Sequence, residues 1–150
     1  MSEQMKSGRR IGFDFGEKRI GVATTDLESI LVSPHATILN DEKLLVKLTE
    51  ILNEFEPVYV VVGNPMHLSG LNSAKSKQAS EFANLIRSIF SGPIYLVDER
   101  LSTSNAYSQM RDSGKSERES KSVIDQIAAV NILESALLSE KAGNSIGELL

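Results

Sequence analysis

Residues 58–62, VYVVV, form a continuous β-branched and aromatic run with no polar position on either face. A strand of this kind cannot keep one side in water, so it belongs in the middle of a sheet covered on both faces. What surrounds it has a different period. Before it, Leu44, Leu45, Leu48, Ile51, Leu52 and Phe55 recur on one helical face, with Asn40 or Asp41 as a cap and Pro57 just past the end. After it, Ala79, Phe82, Ala83, Ile86, Ile89 and Phe90 mark a second helix, stopped by Ser91-Gly92-Pro93. A short apolar strand, residues 94–97, follows. A strand–helix–strand unit makes a right-handed crossover between parallel strands.

Upstream, residues 10–15 and 19–25 read as an antiparallel hairpin around a turn at 16–18, and 35–39 as a shorter third strand after Pro34. Downstream, a helix capped by Ser102 or Thr103 is expected to run to about Met110. The polar loop RDSGKSERESK follows, then a long helix over about 122–138 that is apolar nearly all round. The expected fold is α/β: a mixed five-stranded sheet, antiparallel meander plus parallel strands, flanked by helices. The 150 residues suit one domain, with 1–9 and 139–150 as flexible tails.

Composition removes several chemistries. The chain has no cysteine, which excludes disulfides, thiolate metal sites and cysteine catalysis. Its 2 histidines, His35 and His67, make a multi-histidine zinc site a poor fit. No apolar run approaches the roughly 20 residues of a membrane helix, and the polar start MSEQMKSGRR is not a signal peptide, so a cytoplasmic location is expected, with no membrane partner. The net charge of −4 counts mildly against a nucleic-acid binder, although a cluster of cation-holding acids would also lower it.

In open α/β sheets, ligands bind beyond the carboxyl ends of the parallel strands. That rule selects Asp14 near the end of the first strand, Asn64 after VYVVVG, and Asp98-Glu99-Arg100 after IYLV. Asp14 is poor strand material between Phe13 and Phe15. Gly12 and Gly16 share its face and are expected to leave room for a ligand or another backbone to approach. On the last helix, Asp125 neighbours Ala128, Ala129 and Ile132, and the two alanines let the helix pack close to the sheet. Asp14, Glu99 and Asp125 can then meet in one pocket, and three mutually repelling acids need a cation; an all-oxygen site suits Mg²⁺ or Mn²⁺. Each acid also has a plainer explanation. Asp14 could pair with Lys18 or Arg19, Glu99 could be a solvated loop acid, and Ser122-x-x-Asp125 fits a variant capping box.

The blocks FDFGEKRIGVATTD, VVVGNPMHLSG, VDERLSTSNA and SVIDQIAAVNILES resemble, in this order, the YqgF/RuvX family, over about residues 10–140. The resemblance implies an RNase H-like fold and a nuclease related to RuvC-type Holliday junction resolvases, assigned in bacteria to 5′-end processing of pre-16S rRNA in ribosome biogenesis. It carries the family's acidic residues onto Asp14, Glu99 and Asp125 as catalytic and metal-holding groups, with one or two Mg²⁺ or Mn²⁺ ions and products bearing 5′-phosphate and 3′-hydroxyl ends. RNA, free or in ribosomal particles, is the implied partner. Lys18, Arg19, Asn64, His67, Arg100, Lys115 and Arg118 are the candidate substrate contacts. The family's glycine-leucine-proline appears here as Gly63-Asn64-Pro65, and its asparagine-methionine-aspartate-glycine as His67-Leu68-Ser69-Gly70. The loop over 111–121 mixes Arg111, Lys115, Arg118 and Lys121 with Asp112, Glu117 and Glu119, which weakens its grip on a polyanion. The alternatives are a resolvase acting on four-way DNA junctions, which would need a dimer rather than a monomer, and a non-catalytic RNA-binding module. A phosphate-binding ATPase of the actin and sugar-kinase type shares the D-x-G strand but needs two such domains.

Overall fold

The computed structural model describes residues 7–64, 74–98 and 117–150. Its elements are β1 (Ile11–Asp14), β2 (Arg19–Thr25), β3 (Val32–Leu39), α1 (Leu44–Phe55), β4 (Val60–Asn64), α2 (Ala74–Arg87), β5 (Ile94–Asp98), α3 (Glu117–Lys141) and β6 (Glu148–Leu149). The sheet order is β3-β2-β1-β4-β5-β6. β1, β4 and β5 are parallel neighbours, while β2, β3 and β6 run antiparallel to theirs. The mixed α/β sheet is the expected one, with a sixth strand added at its edge.

Alternation along the strands sorts the core into two layers. Ile11, Phe13, Ile20, Val22, Val60, Val62, Ile94 and Leu96 point to one side. There they bury Leu44, Leu48, Ile51 and Leu52 of α1 and Ala79, Phe82, Ala83 and Ile86 of α2. Phe13 meets Phe82 edge-on with ring centroids 5.5 Å apart. Ala23, Tyr59, Val61 and Val97 point to the other side, against Ala129, Ile132, Leu133 and Ala136 of α3. The VYVVV run is thus covered on both faces, and Val60, Val61 and Val62 are all fully buried. Leu45, expected on the inner face of α1, is 42% exposed.

Several boundaries differ from those expected, each for a physical reason. β3 begins before Pro34 rather than after it. It is an edge strand, and the register slips between Val22 and Ala23 on its neighbour, so a missing N–H is tolerated. β4 continues through Gly63 and Asn64, which pair with Val97 and Asp98. Neither Asn40 nor Asp41 caps α1: Lys43 holds the cap position without a side-chain cap hydrogen bond, while Asp41 Oδ1 accepts from Lys43 N at 3.0 Å and Asp41 pairs with Lys47 at 3.2 Å. Asn40 instead braces the β1–β2 turn, donating to the Gly16 carbonyl at 3.1 Å.

The last helix extends past both expected ends. Residues 117–121, expected in a loop, are helical, and the helix continues to Lys141. The carboxyl-terminal segment, expected as a flexible tail, supplies Glu140 and β6. Arg10, fully buried at the start of β1, holds Glu140 through a two-pronged ion pair (Nε–Oε1 3.2 Å, Nη2–Oε2 2.8 Å). Tyr59 donates to Glu140 Oε1 at 2.7 Å, and the Arg10 guanidinium lies over the Tyr59 ring. Arg10 Nη1 also donates to the Gly8 carbonyl at 2.6 Å and to Ser29 Oγ. A buried charge satisfied this fully fixes the far end of α3 against the sheet. Within the amino-terminal segment, Gly8 and Arg9 are tied to Leu27 and Val58 by backbone hydrogen bonds.

Candidate functional site

The parallel strands end together. Asp14 closes β1, Asn64 closes β4 and Asp98 closes β5, and the register pairs Phe13 with Val62 and Asn64 with Asp98. One edge of the sheet therefore gathers the polar termini of three strands, as the sequence rule requires.

Asp14 is half-buried, and alternation puts it on the α3 side, since Phe13 lies in the opposite layer. Its partner across the β1–β2 ladder is Gly21. Gly21 in turn lies directly under Asp125: a Cβ placed there would stand 1.9 Å from the Asp125 carbonyl oxygen. Asp14 and Asp125 consequently flank the same glycine, one in the sheet and one on the helix above it. Asp125 sits two turns inside α3, which begins no later than Glu117, so it is not a cap of the helix start. This removes the capping-box explanation.

Of the two uses expected for Gly12, the structure shows the approach of another backbone. Its side is not open space. A Cβ there would stand 2.9 Å from Leu133 Cβ and 3.1 Å from the Ala129 carbonyl. Gly12 and Gly21 together let α3 settle on the sheet, and Gly16 is needed where the hairpin turn closes on the Arg19 carbonyl at 2.4 Å from its would-be Cβ. Gly21 carried the same signal in sequence, a glycine inside a strand, and is the position that sequence reasoning missed.

Arg19 does not extend toward solvent. Its Nε donates to Asp125 Oδ2 at 2.9 Å, with 34% of the arginine and 19% of the aspartate side chain exposed. Burial pushes the Asp125 carboxyl above the ordinary aspartate pKa, and Arg19 opposes that rise. Arg19, one of the two basic partners foreseen for Asp14, thus serves Asp125. Lys18, one residue earlier, is exposed in the turn.

Asn64 is buried, and its Oδ1 accepts from Ser76 Oγ of α2 at 2.8 Å. Its side chain locks β4 to α2 rather than standing open to a substrate. His35 stacks edge-on against Phe55 at 4.9 Å. Arg118 falls within α3. Glu99, Arg100, His67 and Lys115 lie outside the described residues, as does the expected helix over 102–110. Glu99 directly follows the last residue of β5 in the chain. Among the described residues, no three histidines, cysteines or acids form a metal-holding group.

The donor set at this edge is carboxylate oxygen, in a chain with no cysteine. Asp14 in the sheet and Asp125 on the helix lie on either side of Gly21, and Arg19 engages a single oxygen of Asp125. Such a set fits a hard, oxygen-preferring divalent cation rather than zinc or copper.

Comparison with known proteins agrees with this architecture. A family model described as "RuvX: Holliday junction resolvase" matches residues 8–139. A Leifsonia xyli protein named "Putative pre-16S rRNA nuclease" is 41% identical, with 92% of this chain and 90% of that one aligned. A Mycolicibacterium smegmatis protein of the same name is also 41% identical, over 90% of this chain and 83% of its own. Among solved structures, Thermus thermophilus RuvC in complex with Holliday junction substrate superposes with a TM-score of 0.57 at 9% identity, covering 95% of this chain and 99% of RuvC. The fowlpox virus resolvase, in complex with Holliday junction DNA, gives 0.54 at 13% identity, covering 86% and 99%. At such identities the two structures speak to the fold, which is the RuvC-like, RNase H-type sheet.

Proposed function

Since the chain belongs to the RuvX family, whose model spans residues 8–139, we propose that it is a metal-dependent nuclease that hydrolyses phosphodiester bonds in pre-16S rRNA, processing the 5′ end of that RNA in the cytoplasm. The observation that carries this reading is the convergence of Asp14 and Asp125 on Gly21 at the carboxyl edge of the sheet. Relatives named as pre-16S rRNA nucleases at 41% identity favour RNA as the substrate.

Asp14, at the end of a strand paired on both sides, is the natural residue for holding an ion at the scissile phosphate. Asp125 would hold the same ion or a second one from the helix side, and Glu99 would complete the set from the residue after β5. One or two bound Mg²⁺ or Mn²⁺ ions would supply Lewis-acid stabilisation of the phosphate and acidify a water. The protein's own contribution is to fix the carboxylates before substrate arrives, so that no reorganisation is needed at the moment of reaction. Lys18, exposed at the turn after Asp14, would meet a backbone phosphate, and Arg100 follows Glu99 in the chain. The acids act on phosphate rather than on a base, and cleavage is expected to leave 5′-phosphate and 3′-hydroxyl ends.

The alternative substrate is a four-way DNA junction, which the family description and the RuvC fold bring forward. Incubating the protein with an RNA carrying the pre-16S 5′ leader and, separately, with a four-way DNA junction in Mg²⁺ separates the two. Cleavage of the leader to 5′-phosphate products is expected. Junction cleavage with the leader left intact would overturn the RNA assignment, and cleavage of neither would overturn the nuclease.

A further inference from the structure

Arg19 extends from β2 on the α3 side of the sheet, the side of Gly21 and Ala23. Asp14 is the direct partner of Gly21, so Arg19 is its diagonal neighbour on that face. The strand beneath is fixed: Arg19 pairs with Leu39 of β3, and the turn at Gly16 closes on the Arg19 carbonyl. From this anchor its Nε donates to Asp125 Oδ2 at 2.9 Å, a charge-assisted hydrogen bond to a partly shielded carboxylate. Among the described residues, Arg19 is the partner of that carboxylate, and it engages one oxygen.

We propose that Arg19 is a positioning residue for Asp125, holding Oδ2 so that the other carboxylate oxygen is presented to a divalent cation shared with Asp14, and that it is not a contact to the nucleic-acid backbone. The proposal rests on the metal-dependent reading above. Three features support it. A guanidinium is planar and permanently charged, so it fixes the direction of a carboxylate where an ammonium fixes only a charge. Carboxylates that ligate metals are held by outer hydrogen bonds whose loss costs roughly 10- to 100-fold in metal affinity or activity. The adjacent Lys18 is exposed and unshielded, which leaves the phosphate contact at this turn to lysine.

Electrostatics alone points the other way, because a guanidinium repels an incoming cation. Orientation and repulsion therefore make opposite forecasts for the same substitution. Mn²⁺ binding to the full chain, read from the electron paramagnetic resonance of free Mn²⁺, decides between them, with leader-RNA affinity measured in parallel without metal. Arg19→Gln is expected to weaken Mn²⁺ binding about tenfold or more while RNA affinity stays within about twofold. Lys18→Gln should weaken RNA binding alone. Arg19→Lys, which keeps the charge and serves if the glutamine variant does not fold, should stay well below wild type for Mn²⁺. Unchanged or tighter Mn²⁺ binding in Arg19→Gln, full rescue by lysine, or a loss confined to RNA affinity would each overturn the proposal. Asp14→Asn is the control that separates the two levels. If it binds Mn²⁺ as wild type does, the metal reading has failed. If it loses Mn²⁺ while Arg19→Gln does not, only the role of Arg19 has failed.

Discussion

Replacing Gly21 by alanine adds one methyl group at the point where the helix bearing Asp125 rests on the sheet. That methyl would stand 1.9 Å from the Asp125 carbonyl oxygen, whereas real Cβ contacts do not fall below 3.0 Å. The backbone of α3 must therefore recede locally by roughly 1 Å. Overpacking of this kind costs about 1–3 kcal/mol, or about 2–4 °C in Tm per kcal/mol for a chain of this size. The same movement carries Asp125 away from Asp14, and a misplacement of about 1 Å at a reacting centre can cost on the order of 100-fold in rate. Gly12→Ala is the internal comparison. Its methyl would meet Leu133 and Ala129 at 2.9 and 3.1 Å, a milder conflict one helical turn or more from Asp125. Thermal melts with single-turnover cleavage on both variants should show Gly21→Ala losing far more activity than Gly12→Ala for a comparable or modestly larger loss of Tm. Wild-type rate and Tm in Gly21→Ala would refute the argument that this glycine sets the helix over the site.

Asp125→Asn should abolish cleavage without lowering Tm at neutral pH. The folded carboxyl has a pKa raised chiefly by burial, against the pull of Arg19, so its ionised form is a liability above the unfolded pKa, relieved as pH falls through the folded value; a melting point several degrees below wild type at pH 7 would contradict this. Glu140→Gln leaves the fully buried Arg10 without its countercharge and should cost about 3–5 kcal/mol. Glu140 lies 15 residues along α3 from Asp125, about 22 Å at 1.5 Å per residue, so cleavage at a permissive temperature should be unaffected. Burial and then the Glu140 hydrogen bond hold the Tyr59 phenol protonated well above its ordinary pKa of 10.0. Its contribution is thus complete below pH 10 and declines as pH rises beyond that. Tyr59→Phe should be less stable at neutral pH and show a shallower alkaline loss in a pH series of melts.

What was legible in the sequence was whatever local pattern determines. β2 has the expected bounds, Arg19–Thr25, and α1 lies where its apolar face predicted a helix, because alternation and the 3.6-residue period are strong there. Asp14 and Asp125 were selected by topology and lie on either side of Gly21. What was not legible depends on partners distant in the chain. β6 is the dipeptide Glu148–Leu149, too short for any period, and exists only through pairing with Tyr95 and Leu96. Arg10 reads as an ordinary charged residue at the edge of a polar tail, yet it is buried by Glu140, 130 positions away. Arg19 reads as a solvated cation until Asp125, 106 positions later, comes to lie above it. The glycine signal was read at Gly12, where another backbone does approach, but not at Gly21, which only the path of the helix singles out.

The most direct test of a cation-holding carboxylate centre is cleavage of the pre-16S leader RNA by wild-type protein and Asp14→Asn, each in Mg²⁺ and after exhaustive chelation with EDTA, with circular dichroism reporting the fold. The expected result is cleavage by wild type in Mg²⁺ alone, restored when Mg²⁺ is returned, and none by a folded Asp14→Asn. Wild-type rates in folded Asp14→Asn, or cleavage that survives EDTA, would contradict it.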